Sequence, residues 1–247
     1  MRVALVTGAT KNIGLSIAQA LAADGMAIAV NGRDPDAVSD ACERLTAGGA
    51  TVVAAPGDIS TEDGVAEAVK AAMSLSGNVD VLVNNAGVRA HGPLVDTATE
   101  DWQQVIDTVL TGAFFTTRAV LGGMCEQGWG RIINLAGMSG QTGAANRVAV
   151  VAAKSGVMGL TKATAMEGAA HGVTVNAISP GLIDTQRSPT LGDASLQQEH
   201  YETVQKTVPL GRQGESEEVA ALCSFLCSDR ASFITGQVLA INGGARM

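Results

Sequence analysis

Two groups of residues in this 247-residue chain have the types and spacing to do chemistry. The first is the run Thr7-Gly8-Ala9-Thr10-Lys11-Asn12-Ile13-Gly14, placed between an apolar segment that reads as a strand and an amphipathic one that reads as a helix. Gly8 permits a sharp turn, Gly14 permits close packing, and the free N–H groups of a helix N-terminus suit a pyrophosphate. The second group handles protons and charge. Lys154 stands in Ala152-Ala153-Lys154-Ser155-Gly156, where apolar surroundings lower a lysine pKa towards acid–base work or a Schiff base. Arg89 and Arg147 stay protonated, so neither is a general acid, but either can anchor a carboxylate or polarise an oxygen. His91, with an ordinary pKa near ~6.5, can donate a proton close to neutrality. His171 and His200 read as surface residues.

A phosphate-binding turn needs a strand before it and a helix after it, and that alternation recurs along the chain. Short apolar runs at 3–7, 27–31, 51–55, 81–83, 131–135, 174–178 and 238–241 read as seven buried strands. Between them lie helical patterns, for example 13–23, 36–47 and 61–74. This βαβα rhythm predicts one α/β domain over residues 1–247, a doubly wound parallel sheet with helices on both faces. Two longer helices, at 99–126 and 149–170, are apolar on more than one face, which predicts burial against a second subunit as well as the sheet. The more polar segment 186–208, with Pro189 and Gly192, suits a mobile lid.

Composition narrows the partners. Apolar residues make up 46% and aromatics 3%, so the core is built from small and aliphatic side chains, as a buried parallel sheet prefers. A formal net charge of -8 argues against nucleic acid or an anionic membrane as partner. No apolar run reaches membrane-spanning length. A first strand starting at about Arg2 leaves no room for a targeting peptide, so a cytoplasmic protein acting on a small molecule is expected. Cys223 and Cys227, four apart, lack the neighbours of a zinc site; they and Cys42 and Cys125 read as small buried hydrophobes, and no metal is expected.

The block Val3 to Gly14, then Asn84-Asn85-Ala86-Gly87, Ser179-Pro180-Gly181-Leu182-Ile183-Asp184-Thr185 and Gly236-Gln237-Val238-Leu239-Ala240-Ile241-Asn242-Gly243-Gly244 follow in order. Through them the chain resembles the short-chain dehydrogenase/reductase family along its whole length. The resemblance implies a Rossmann-like fold and a nicotinamide cofactor. It puts Thr10, Lys11, Asn12 and Ile13 at the phosphates, with Asn12 where the family usually has a third glycine. It puts Asp58 and Ile59 at the adenine, Asn84 to Gly87 and Lys154 at the ribose, and Pro180, Gly181, Ile183 and Thr185 at the carboxamide. An acid ending the second strand would bond a ribose 2′-OH. Here Val30-Asn31-Gly32-Arg33 carries none before Asp34, and Arg33 with Lys11 favours the 2′-phosphate of NADP(H).

Family members that reduce ketones use Asn, Ser, Tyr and Lys, the Tyr protonating the nascent alkoxide. The resemblance carries these four positions to Val109, Gly137, Val150 and Lys154, with the spacing undisturbed. Ser139, two residues from the Ser position, is a candidate shifted donor, and Arg147, three before the Tyr position, a candidate substrate contact. The family also implies a homodimer or homotetramer. The expectation is an NADP(H)-dependent reductase of a pre-activated electrophile, such as a cyclic imine or an activated C=C. The alternatives are a cyclase, dehydratase or retro-aldol lyase on the same scaffold, a non-catalytic NADP(H)-binding subunit, or an ordinary ketoreductase using Ser139.

Overall fold

Among the described residues nine strands form: β1 Val3–Val6, β2 Ala27–Gly32, β3 Val52–Pro56, β4 Val81–Asn84, β5 Ala90–His91, β6 Gly130–Leu135, β7 Val173–Pro180, β8 Leu191–Gly192 and β9 Val238–Ile241. The helices are α1 Asn12–Ala23, α2 Pro35–Ala47, α3 Glu62–Met73, α4 Thr99–Ile106, α5 Gly112–Gln127, α6 Met138–Thr142, α7 Val148–Gly168, α8 Ala194–Gln205 and α9 Ser216–Cys227. The computed structural model describes residues 1–186 and 190–246. Seven strands make one parallel sheet in the order β3-β2-β1-β4-β6-β7-β9, as the apolar runs predict.

The chain winds outward from β1 to β3, then returns to place β4 beside β1, with Ala4 opposite Val81 and Val6 opposite Val83. That reversal opens a crevice at the carboxyl ends of β1 and β4, where open α/β sheets bind ligands. Ile17, Leu21, Ile28, Val219 and Leu226 fill one side of the sheet, and Leu5, Leu82, Val120, Met124 and Ile132 the other. A third apolar cluster, around Val105, Val109, Val150 and Val157, packs α4, α5 and α7 together near the crevice.

Local chemistry sets the helix starts. Asp34 caps α2 by accepting from the N–H groups of Asp36 and Ala37, with Pro35 at the first helical position. Thr61 accepts from Gly64 N–H at 3.1 Å to cap α3. No side chain caps α1.

Two expectations need correction, and one segment holds more structure than its composition signals. The apolar stretch from 99 onward is not a plain helix: α4 and α5 are joined by a π-helical turn, Asp107–Thr111. Together they make a 29-residue helix long and apolar enough to cross a membrane, although no unbroken apolar run has that length. Its packing against α3, α7 and the sheet makes it a core helix instead. Within the polar segment read as a lid, α8 spans Ala194–Gln205 and β8 pairs with β5 in a two-stranded parallel ladder. Strands of two residues carry no readable alternation. Residues 187–189 lie outside the described residues. Finally, Cys223 and Cys227 are buried, whereas Cys42 and Cys125 are only half-buried.

Candidate active site

A cleft of about 1390 Å³ runs along the carboxyl edge of the sheet, from the Gly8 turn to Lys154 and α8. Its first half is a cradle. Gly8 has φ +61°, and a Cβ there would stand 2.9 Å from Ala86 Cα. A Cβ on Gly14 would stand 2.2 Å from the Gly8 carbonyl oxygen. Asn85 holds the turn in place, donating through Nδ2 to the Thr7 and Gly8 carbonyls at 2.9 and 3.0 Å. The uncapped start of α1 opens onto this cradle, leaving its first N–H groups for an anion. Asn12 takes φ +52° and lines the cleft too.

Gly8, Thr10, Lys11, Asn12, Ile13 and Gly14 all line this cleft. Arg33, Asp58, Ile59, Asn85, Ala86, Gly87, Pro180, Gly181, Ile183 and Thr185 line the same cleft. Asn84 does not. It faces inward, donating to Asn134 Oδ1 at 2.9 Å and accepting from Thr116 at 2.7 Å, because adjacent strand residues point to opposite faces. Its partner Asn134 donates to Thr161 on α7 at 2.9 Å, so this buried chain ties the sheet to the helix that carries Lys154. Beyond the adenine end, Arg44 joins Lys11 and Arg33 on the wall. It lies on the sequence-predicted α2, but nothing in the sequence alone turned it towards the cleft. These residues fit a nicotinamide dinucleotide.

At the other end Lys154 donates from Nζ to the Leu135 carbonyl oxygen. Burial, then Arg89 and Arg147, push its pKa down to about 7. Val150 lies one helical turn before it on the same wall, and Gly137 and Ser139 face the cleft. Ser139 caps no helix. Val109 is displaced from the wall: it is 4% exposed in the third apolar cluster, behind Gly87. Its neighbour Thr108 and Gln104 reach the cleft instead, a shift that follows from the π turn. Local π turns are common at functional sites.

The two histidine expectations fail in opposite directions. His91 is 2% exposed, turned away from the main cleft into a small side cavity, with Nδ1 2.8 Å from Thr190 Oγ1. Burial, reinforced by Arg147, His200 and Arg89, lowers its pKa to about 4. It is neutral at pH 7 and is neither a solvated loop residue nor a proton donor in the cleft. His200 is not a surface residue; it lines the cleft with its neighbour Tyr201. Arg147 Nη1 stands 2.8 Å from His200 Nε2. A guanidinium only donates, so Nε2 carries the lone pair and the imidazole is neutral. Burial and Arg147 hold its pKa near 4. His171 is exposed, as expected.

The reacting end thus combines one lysine able to release a proton near neutrality with two arginines and an apolar wall. It can orient a polar substrate and protonate one atom of it.

Comparison with known proteins agrees with the cradle. The family model described as enoyl-(acyl carrier protein) reductase matches residues 8–246. A 3-oxoacyl-[acyl-carrier-protein] reductase from Synechocystis is 40% identical over 100% of this chain and 97% of that protein. An acetoacetyl-CoA reductase from Rhizobium meliloti is 40% identical over 98% of each. The crystal structure of a putative gluconate dehydrogenase from Agrobacterium tumefaciens superposes with TM-score 0.90 at 32% identity, covering 99% of this chain and 95% of that one.

Proposed function

This chain belongs to the short-chain dehydrogenase/reductase family, and from that premise we propose an NADP(H)-dependent reductase of a carbonyl substrate in which Lys154 is the proton donor. One observation carries the proposal. Lys154 stands on the cleft wall with Val150 a turn before it, and Gly137 lines the same cleft, so neither of those two positions supplies a hydroxyl to a bound carbonyl. When bound, the nicotinamide supplies hydride. Lys154 holds a proton at Nζ, and a pKa of about 7 suits its release to the carbonyl oxygen at neutral pH. Val150, backed by Val109 and Ala153, excludes water from that side. The chain then works with a single acid where its relatives, in the reading taken from the resemblance, have a hydroxyl pair.

The choice of NADP(H) rests on charge. Lys11, Arg33 and Arg44 line the adenosine end, and the Asp34 carboxylate is engaged in capping α2. The two curated relatives named above, at 40% identity, are reductases of oxo substrates, which supports a carbonyl and lends nothing to the lyase or non-catalytic readings. An electrophile that needs no acid, such as a cyclic imine or activated C=C, remains the second reading because positions 137 and 150 hold no hydroxyl. The three cations Arg89, Arg147 and Lys154 weigh against a cationic iminium. We also propose a homo-oligomer, since α5 and α7 expose Phe114 and Met166.

The test is cofactor oxidation with NADPH and NADH, using a 3-oxo thioester, its free acid and a cyclic imine. NADPH-dependent turnover of an oxo substrate supports the reading; turnover of the imine alone replaces it with the second.

A further inference from the structure

Among the described residues, one buried cation of the cleft, Arg147, has no carboxylate partner. Arg147 is 8% exposed and its Nε has no hydrogen-bond partner. Nη1 meets the neutral imidazole of His200, and the guanidinium interacts electrostatically with Tyr201. Among the described residues every salt bridge lies elsewhere: Arg2 and Arg131 with Asp229, Arg118 with Glu62, and Arg212 with Glu218. Glu199 lines the cleft but pairs with neither Arg147 nor Arg89.

Arg131, whose Nε is likewise without a partner, shows how this fold otherwise satisfies a buried guanidinium, through carbonyls and a carboxylate. It is 2% exposed, yet it donates to the Gly130 and Gly172 carbonyls at 2.8 and 3.2 Å. It also pairs with Asp229 and stacks 4.3 Å from the Trp129 ring centroid. Arg147 has none of these. A desolvated charge left unpaired is destabilising, so its place on a cleft wall points to a ligand that completes it.

The backbone presents this side chain deliberately. Asn146 takes φ +58°, a left-handed conformation that a non-glycine residue adopts at some cost. Its carbonyl accepts from Gly92 N–H at 3.0 Å, and Gly92 and Arg147 form a parallel bridge. The turn therefore fixes Arg147 at the start of α7, two turns before Lys154 on the same cleft. Arg89 reaches that cleft from the loop after β4.

We propose that Arg147, supported by Arg89 and oriented by His200, binds the carboxylate of the substrate, so the substrate class is an oxo acid rather than a neutral ketone or a cation. The planar fork of a guanidinium matches a carboxylate with two parallel N–H donors. This rests on the reductase reading for the identity of the reacting group, but the anion subsite itself does not.

The experiment pairs acetoacetate and 4-oxopentanoate with their ethyl esters, which keep the ketone and remove the charge. With saturating NADPH, wild type is expected to favour the acids over the esters in kcat/KM by about 10- to 100-fold, the loss of one charge-assisted pair. Arg147→Gln collapses that ratio towards one, Arg147→Lys restores part of it, and Arg89→Gln lowers it by a smaller factor. The second arm is calorimetric titration of acetoacetate into the NADP+-bound protein, which reads binding without turnover. Loss of that binding in Arg147→Gln, with no reduction of any ketone, would retain the anion subsite and remove the reductase reading. Equal use of acids and esters by wild type, or an acid preference that survives in both Arg147→Gln and Arg89→Gln, overturns the proposal.

Discussion

Asn12 and Gln186 are joined by two hydrogen bonds: Asn12 Nδ2 donates to the Gln186 carbonyl at 2.8 Å, and Gln186 N–H donates to Asn12 Oδ1 at 2.9 Å. The side chain that replaces a glycine in the phosphate turn thus holds the chain segment leading to α8. Its left-handed backbone, φ +52°, is the same conformation that a glycine would take, and asparagine tolerates it. The departure from the family pattern is a clasp across the cofactor cradle.

Asn12→Gly keeps the backbone and removes the clasp. Each exposed bond is worth about 0.5–1 kcal/mol, so NADPH should dissociate roughly five- to tenfold faster while the melting temperature barely moves. Asn12→Ala should lose the clasp and also destabilise the fold by about 1 kcal/mol, the cost of a left-handed alanine. Stopped-flow displacement of NADPH and thermal melts of both variants separate the two effects. An unchanged off-rate in Asn12→Gly would show that the contact holds nothing.

His91 and His200 titrate near 4 in the folded chain, against 6.5 when unperturbed. Between those values the unfolded chain takes up protons that the folded chain refuses, so stability is full above pH 6.5 and falls as the pH drops towards 4. For the buried His91 the loss is on the order of 2 kcal/mol. Glu218, held near 2 by Arg212, adds stability that is lost only as the pH falls below about 4.5, under the histidine window. Melting temperatures between pH 8 and 4.5 should decline below 6.5, and less so in a His91→Asn, His200→Gln variant. A flat profile would contradict the burial of these rings.

The legibility of this site followed the length of the signal. Strands Val3–Val6 and Gly130–Leu135 are fully buried; the first is an unbroken apolar run, and Ile132, Ile133 and Leu135 marked the second despite Arg131 and Asn134. The cradle was legible because Gly8 and Gly14 sit in contacts too tight for a Cβ. What escaped depended on tertiary placement. Two-residue β5 and β8 bury His91, packing of α8 brings His200 to Arg147, and a π turn moves Val109 behind the wall that Thr108 reaches. Asn84 and Asn85 were separable only by strand alternation, since one of two neighbours must face the core.

Gly137 and Val150 differ in how they accept a restored hydroxyl. A Cβ on Gly137 would meet nothing within 4 Å, and its φ of 162° is extended backbone, so Gly137→Ser should fold as wild type does. Val150 is 4% exposed within the apolar cluster, and Val150→Tyr should cost about 1–3 kcal/mol by overpacking. Alone, Val150→Tyr should not raise ketone reduction, because no hydroxyl at 137 holds the carbonyl. The double variant should exceed either single one. Assays of the three proteins with one oxo substrate decide this, and full activity in Val150→Tyr alone would contradict it.

The most direct test is the pH dependence of kcat/KM for NADPH-driven reduction of an oxo acid, measured in wild type and Lys154→Met. Lys154 must be protonated to donate, so wild-type activity should be level at acidic to neutral pH. It should then fall about tenfold per pH unit above the lysine pKa of about 7. Lys154→Met should lose ~10²–10⁴ in kcat at saturating NADPH and show no such descending limb. A profile flat beyond pH 9, or a Lys154→Met variant that keeps its kcat, would contradict proton donation by Lys154.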